Sequence, residues 1–334
     1  MNSIQSRILL LCFAVILLIF LLMIIGPVNI PFNELFSASR TPDWQTILWE
    51  IRFPKIITAF LAGVALGLTG LVMQTYFNNP LADPYILGVQ SGASLGVAIG
   101  IMALDSVFIF FPNFVGQLST IFFASAGSLL TLFVLMILSR MLVNQLILLV
   151  IGLVFGQVIT GIISILVVLS ESNKIKNFLL WTMGSFQRVS SEQIVIFALI
   201  ISIGAIFLFY LAFKLNLLLL GDKYARSSGL NVLKTRKILL VITAILSGTV
   251  TSFCGPIAFV GIISPHLARS FLKTSNHFVL IPGVALLGAI MTLASEFVSG
   301  FMGDMTLPIN GIMGLVGGPI IFIILLNYKK VYRS

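Results

Sequence analysis

Residues 255–269 read Gly255-Pro256-Ile257-Ala258-Phe259-Val260-Gly261-Ile262-Ile263-Ser264-Pro265-His266-Leu267-Ala268-Arg269. The stretch is apolar enough for a bilayer, yet two prolines break it and it ends in a His and an Arg. Proline lacks an amide donor and glycine lets backbones come close, so such a segment in lipid needs neighbouring helices or a cavity to shelter it. An ordinary spanning helix has no use for that punctuation. The stretch points to a membrane protein that moves something.

The composition around it agrees. Of the 334 residues, 59% are hydrophobic and 9% charged, with a mean hydropathy of +1.14; soluble domains carry roughly a quarter charged residues. The aromatic content is dominated by Phe, which suits lipid-facing and helix-packing surface better than a platform for stacking bases. A net charge of +9 in so apolar a chain is a question of sidedness before it is a hint of nucleic acid.

Apolar runs near 8–26, 56–77, 85–104, 114–138, 145–169, 193–213, 238–254, 256–272, 278–300 and 309–328 are each close to the length a bilayer demands. The sequence therefore predicts an all-α polytopic protein of about ten transmembrane helices, with both termini on one side. With the N-terminus inside, the inner segments collect Arg7, Arg140, the basic residues of 214–237, Arg269, Lys273, Lys329, Lys330 and Arg333. The outer segments keep only Arg40, Arg52, Lys55, Lys174, Lys176 and Arg188. Because Lys and Arg bias sets topology, both termini are expected in the cytoplasm. The run 8–25 is read as a retained span, since no small-residue cleavage site follows it. Cys12 and Cys254 lie far apart in apolar runs without metal-ligand spacing, and are read as reduced and structural.

No polar interruption is long enough to mark a boundary, so residues 1–334 are expected to form one transmembrane domain. Small residues at 63 and 67, at 92, 96 and 100, and at 152 and 156 have the spacing of close helix packing. Two further places carry more than packing. The first is Gln74-Thr75-Tyr76-Phe77-Asn78-Asn79-Pro80-Leu81-Ala82-Asp83-Pro84, a rigid inner turn in which Asp83 is expected to N-cap the next helix. The second is the inner segment 214–237, in which a leucine patch through Leu217 and Leu220 breaks at Gly221. A short polar helix holding Asp222 and Arg226 follows, and the chain breaks again at Gly229. Exposed leucines beside a charged helix at the inner face read as a docking surface for another protein. His266, with Arg269 as its charged neighbour, lacks the companions a metal site needs; a structural hydrogen bond is the expectation, and no metal or cofactor site is read in this chain.

Taken together, these places resemble the FecCD family, the permease subunits of binding-protein-dependent ABC importers for iron-siderophores, haem and cobalamin. The resemblance covers nearly the whole chain. It is carried by Arg52-Phe53-Pro54-Lys55, by Gln74 and Asn78-Asn79-Pro80-Leu81-Ala82-Asp83-Pro84, by Trp181-Thr182-Met183-Gly184-Ser185, by Leu220-Gly221-Asp222 through Arg226-Ser227-Ser228-Gly229, and most strongly by the Gly255–Pro256…Pro265–His266…Arg269 signature. The family pattern differs at Asn78 and Lys55, where Arg is usual. It differs too at Ser295-Glu296-Phe297-Val298-Ser299-Gly300, in place of an Asp followed by an Arg, and at Thr306-Leu307-Pro308-Ile309-Asn310, in place of Glu-Leu-Pro-x-Gly.

The resemblance implies a type II ABC importer permease bundle in the bacterial plasma membrane, paired with a second permease as a homodimer or with a homologue. It implies an ATPase subunit dimer that holds ATP-Mg and grips the loop at 214–237 through Leu217, Leu220, Gly221, Asp222, Arg226 and Gly229. It also implies an extracytoplasmic substrate-binding protein that meets Arg52 and Lys55, with Arg188 as a further outer charge. Gln74, Asn79, Pro80, Gly255, Pro256, Pro265, His266 and Arg269 stand as pathway or gating residues. A ferric siderophore is the first expectation for cargo, with haem and cobalamin behind it.

Two other classes fit less well. An ion-coupled carrier would place acids or His inside the spans, whereas Glu296 and Arg269 lie near span ends. An intramembrane enzyme would need a paired nucleophile and base or a metal cluster, and the sequence offers no such pairing. No Gly-x-x-x-x-Gly-Lys-Ser/Thr loop occurs, so any ATP would be hydrolysed by a partner.

Overall fold

The computed structural model describes residues 3–26, 28, 30, 42–85, 88–103, 117–141, 145–300 and 307–331. Among these residues the protein is helical, with no strand. In chain order the helices are α1 (Ser3–Ile24), α2 (Pro42–Thr46), α3 (Phe53–Phe77), α4 (Val89–Ala98), α5 (Gln117–Met141), α6 (Gln145–Val168) and α7 (Ser172–Thr182). There follow α8 (Ser191–Tyr210), α9 (Ala212–Leu219), α10 (Asp222–Ser227), α11 (Val232–Cys254), α12 (Val260–Leu272), α13 (His277–Gly300) and α14 (Ile309–Val331). π-helical turns occupy Ile47–Arg52 and Ile99–Ala103.

Among the described residues, every apolar run read from the sequence overlaps a helix. Among the described residues, seven helical segments are long and apolar enough to cross a membrane: Ile4–Ile24, Asp43–Phe77, Ser119–Leu138, Val150–Val168, Ser191–Tyr210, Val232–Cys254 and His277–Gly300. Val89–Ala103 and Ile309–Ile324 are apolar but shorter. α8 shows why these helices suit lipid: it is apolar all round and leaves Ile203, Ile206, Phe209 and Tyr210 exposed, a surface that water would not tolerate.

Two expectations about boundaries are corrected. The segment before Pro54 is helical from Pro42 onward, so residues 42–77 run as one helical stretch and the outer polar interruption is shorter than its composition suggests. The wider π turns at Ile47–Arg52 lie just where Pro54 removes an amide from the ladder, and a π-bulge is one way a helix absorbs such a residue. Asp83, in turn, does not cap a helix. Its Oδ1 accepts the Tyr85 N–H at 2.9 Å in an Asx turn, and α4 starts only at Val89 after Gly88 in a left-handed conformation.

The chain divides into two compact units. The first comprises Met1–Leu71, Ser185–Ile201 and Ile257–Ser334; the second comprises Val72–Gly184 and Ser202–Pro256. In the first, α3 crosses α13 so closely that a methyl added at Gly63 would sit 2.3 Å from the Gly288 carbonyl oxygen. One added at Gly70 would sit 1.9 Å from the Gly261 carbonyl oxygen on α12. In the second, α4 meets α5 in the same way, with Gly127 against the Gly92 carbonyl and Gly96 against that of Phe123. Small residues at these crossings let backbones touch where lipid supplies no hydrophobic force to hold helices together. The second unit also buries a cluster of Ala93, Val97, Ala98, Met102, Ala124, Phe178 and Trp181, which holds α7 against α4 and α5.

Candidate coupling, docking and pathway sites

The 255–269 stretch is broken once, not twice. α11 ends at Cys254, residues 255–259 are irregular, and α12 begins at Val260 with Pro265 inside it. Pro265 is the sixth residue of that helix, and the amide it lacks would have met Gly261, whose carbonyl lies against Gly70 at the helix crossing. Neighbouring Ser264 donates its hydroxyl to Val260 O at 2.7 Å. At 13 residues α12 is about 20 Å long, short of the roughly 30 Å hydrocarbon core, so the apolar run at 256–272 is only partly a spanning helix.

Gly255 and Pro256 belong to the second unit, and the chain enters the first at Ile257. Gly255 takes φ +79°, and a Cβ there would lie 2.5 Å from the Trp181 carbonyl oxygen and 3.2 Å from Gly184 Cα. Two elements quoted separately from the sequence, Gly255 and Trp181…Gly184, are therefore packed on each other. On the first-unit side, the freed amide of Ala258 donates to Asn310 Oδ1 at 3.4 Å. Asn310 stands where the family pattern has Gly, and its side chain supplies a partner to the broken backbone.

Of the remaining pathway and gating candidates, Gln74 is buried in the second unit, and its carbonyl accepts the Asn79 N–H at 3.1 Å. Asn79 Oδ1 accepts the Leu81 N–H at 3.0 Å, which closes the turn around Pro80. Asn78, where Arg is usual, takes a left-handed φ of +48°. Asp83 is buried in this turn, and loss of water pushes its carboxyl up to about 6 against the opposing hydrogen bond from Tyr85. His266 and Arg269 are half-buried on α12. His266, for which the sequence predicts a structural hydrogen bond, has Arg269 as its charged neighbour. No group of three His, Cys, Asp or Glu among the described residues is arranged to hold a metal.

Arg52 and Lys55 are the residues the resemblance implies for docking. Both side chains are buried, at 5% and 9% exposure, so neither presents its charge on the surface of this chain. Arg52 turns inward to the end of α1, where its guanidinium donates to Met23 O at 2.6 Å and to Val28 O. It thereby serves a last-turn carbonyl that the helix terminus leaves without an intrahelical donor, and a second carbonyl just beyond the helix. Lys55 Nζ pairs with Glu296 Oε1 at 2.7 Å. Burial drives that pairing, since an isolated charge in this setting is costly and neither helix offers water. Glu296 stands where the family pattern has its acidic motif, but nothing in the sequence pairs it with Lys55, which the resemblance assigns to docking. Arg188 is half-buried.

The 214–237 segment follows its expectation closely. α9 ends at Leu219, Gly221 at φ +92° turns the chain, α10 runs for six residues, and Gly229 at φ +83° turns it again into α11. Asn231 caps α11, its Oδ1 accepting the Lys234 N–H at 3.0 Å. Leu220, Tyr224 and Leu233 are exposed at 62%, 53% and 66%, whereas Leu217 and Asp222 are half-buried and Arg226 is exposed. Asp222 Oδ1 accepts from Arg236 Nη2 at 2.7 Å, a contact between residues fourteen apart that no local pattern marks.

Comparison with known proteins bears on all of these elements. The family model for the FecCD transport family matches residues 14–327. The hemin transport system permease HmuU of Yersinia pestis is 31% identical over 334 residues, with 98% of each chain covered. The vitamin B12 import permease BtuC of Klebsiella pneumoniae is 30% identical, covering 90% of this chain and 87% of BtuC. The molybdate import permease MolB of Haemophilus influenzae is 31% identical, covering 86% and 83% respectively. A solved structure described as an inward-facing metal-chelate type ABC transporter superposes with a TM-score of 0.85 at 26% identity, over 97% of this chain and 99% of that one. A single family model spans the helices, the inner segment and the 255–269 signature alike, and the chain belongs to the FecCD transport family of ABC importer permeases.

Proposed function

We propose that this protein passes a ferric siderophore, or failing that haem or cobalamin, from an extracytoplasmic binding protein through the bacterial plasma membrane, driven by a separate ATPase subunit. In this reading about ten spans form one permease domain, both termini are cytoplasmic, and two permeases, identical or homologous, enclose the pathway. Energy enters at 214–237. The exposed Leu220, Tyr224 and Leu233 around a short helix held between two left-handed glycines are the observation that carries this reading. Apolar side chains on a small polar helix suit a protein partner, and glycine turns let the helix seat without strain elsewhere. Movement of the ATPase dimer is then passed to near-rigid helices in an alternating-access cycle.

Chelated iron leads on the family resemblance; iron chelates, hemin, vitamin B12 and molybdate all occur among the relatives' cargoes. With Arg52 and Lys55 buried, the exposed Lys176 and the part-exposed Lys174 and Arg188 carry described outer charge that would steer an acidic binding protein, an effect mainly on encounter and orientation. An ion-coupled carrier is disfavoured because the carboxylate of Glu296 is already matched by Lys55. The deciding experiment reconstitutes the permease with its ATPase subunit and binding protein in liposomes. Uptake of a ferric hydroxamate, hemin, cobalamin and molybdate is then compared. ATP-dependent accumulation of the ferric chelate alone is the expected result; accumulation driven by an ion gradient without ATP would reject the importer reading.

A further inference from the structure

We infer that Arg236 is a positioning residue that locks the short inner helix α10 to the C-terminal end of α3, so that the two move together. The inference deepens the coupling role proposed above for residues 214–237 and rests on it. α10 has little else to fix its direction. Among its six residues only Ala225 is buried, and the glycines on either side have open space where a side chain would be. Its first residue, Asp222, holds Arg236 on α11 at 2.7 Å. The same guanidinium lies over the ring of Tyr76, with Cζ 5.4 Å from the centroid.

Tyr76 is the penultimate residue of α3 and is itself buried at 5% exposure. Immediately after it the chain enters the turn held by the Asn79 and Asp83 side chains. Arg236 thus touches two elements that are distant in sequence and joins each by a directional contact. An ion pair as exposed as Asp222 contributes little to stability, so its value here is orientation. The planar guanidinium is suited to that task, because one face can stack on an aromatic ring while its edge meets a carboxylate. Lysine can keep the charge but not the stack and fork together.

The test uses the full permease, alone and assembled with its ATPase subunit, in nanodiscs. Cys12 is replaced by Ala, and Cys254 is fully buried and left in place. Spin-label pairs are placed by Lys223→Cys with Ser172→Cys, and by Asn78→Cys with Ser172→Cys, all at exposed positions of one compact unit. ATP-Mg with vanadate is expected to shift both distances in the wild type. In Arg236→Lys and in Asp222→Asn the 223 distance is expected to shift while the 78 distance stays at its nucleotide-free value. Tyr76→Phe, which keeps the ring, and Asp222→Glu, which keeps the charge, should behave as wild type. Asp222→Asn alters only a part-exposed side chain and keeps the test open if Arg236→Lys does not fold. Labels that still shift in step in both variants would overturn the link. Absence of any shift at 223 in the assembled wild type would instead overturn the coupling role on which it rests.

Discussion

Lys55 and Glu296 form an ion pair at 2.7 Å, with side-chain exposures of 10% and 4%. They join α3 to α13 beside the contact in which Thr292 donates its hydroxyl to Ala59 O at 2.7 Å. A cation that the family resemblance assigns to docking is therefore held inside the first unit. Removing one partner leaves the other charge buried and unmatched. Lys55→Met or Glu296→Leu alone is expected to cost about 3 kcal/mol, and the double replacement to recover most of it. Thermal unfolding in detergent measures the cycle; equal losses in the single and double variants would show that the pair is not coupled.

Arg52 is expected to act on stability rather than on recognition. Its guanidinium serves backbone carbonyls at Met23 and Val28, so Arg52→Gln should lower stability by roughly 1–3 kcal/mol. Binding-protein affinity at low salt should change little, since the charge does not face the partner. A large loss of affinity with unchanged thermal stability would return this residue to the docking surface.

The glycines of the two signatures should differ in kind. Gly255→Ala meets both a left-handed φ and the Trp181 carbonyl at 2.5 Å, and is expected to prevent stable folding or cost more than about 3 kcal/mol. Gly221→Ala meets only the φ, because open space surrounds it, and should cost roughly 1 kcal/mol. Its main effect should be on the ratio of uptake to ATP hydrolysis. Expression and melting temperature separate the first from the second, and the transport assay reads the rest.

Asp83 makes a pH prediction whose sign follows from its burial. Its folded-state value of about 6 lies above the ordinary carboxylate value, so the folded chain holds this proton more tightly than the unfolded one. The contribution of Asp83 to stability is thus greatest below about pH 4 and is lost as pH rises through 6. Asp83→Asn, which keeps a side-chain acceptor for the Tyr85 amide, should abolish this fall. Unfolding in detergent between pH 4.5 and 7.5 compares the two slopes; parallel curves would remove Asp83 as their cause.

The helices were legible in the sequence because a bilayer sets a length and an apolarity that seven of the runs meet in full among the described residues. The inner segment was legible too, since Gly221 and Gly229 break a helical pattern locally. Asp83 and Pro265 were misread for one shared reason. Whether an Asp caps a helix or closes a turn, and whether a Pro ends a helix or sits within it, depends on where the helix starts. That start was set by Gly88 and by Phe259, each in a left-handed conformation.

By itself, then, the sequence determined a polytopic helical protein, the position of its apolar runs, a two-glycine inner segment and a break at Gly255-Pro256. All of these depend on residues near one another in the chain. Only the tertiary structure decided that Lys55 meets Glu296, that Arg52 serves the end of α1, that Gly255 rests on Trp181 and that Arg236 joins Asp222 to Tyr76. Each of these depends on which helix faces which. In lipid that choice is made by backbone approach at small residues and by the need of each buried polar group for a partner, neither of which is written in any one segment.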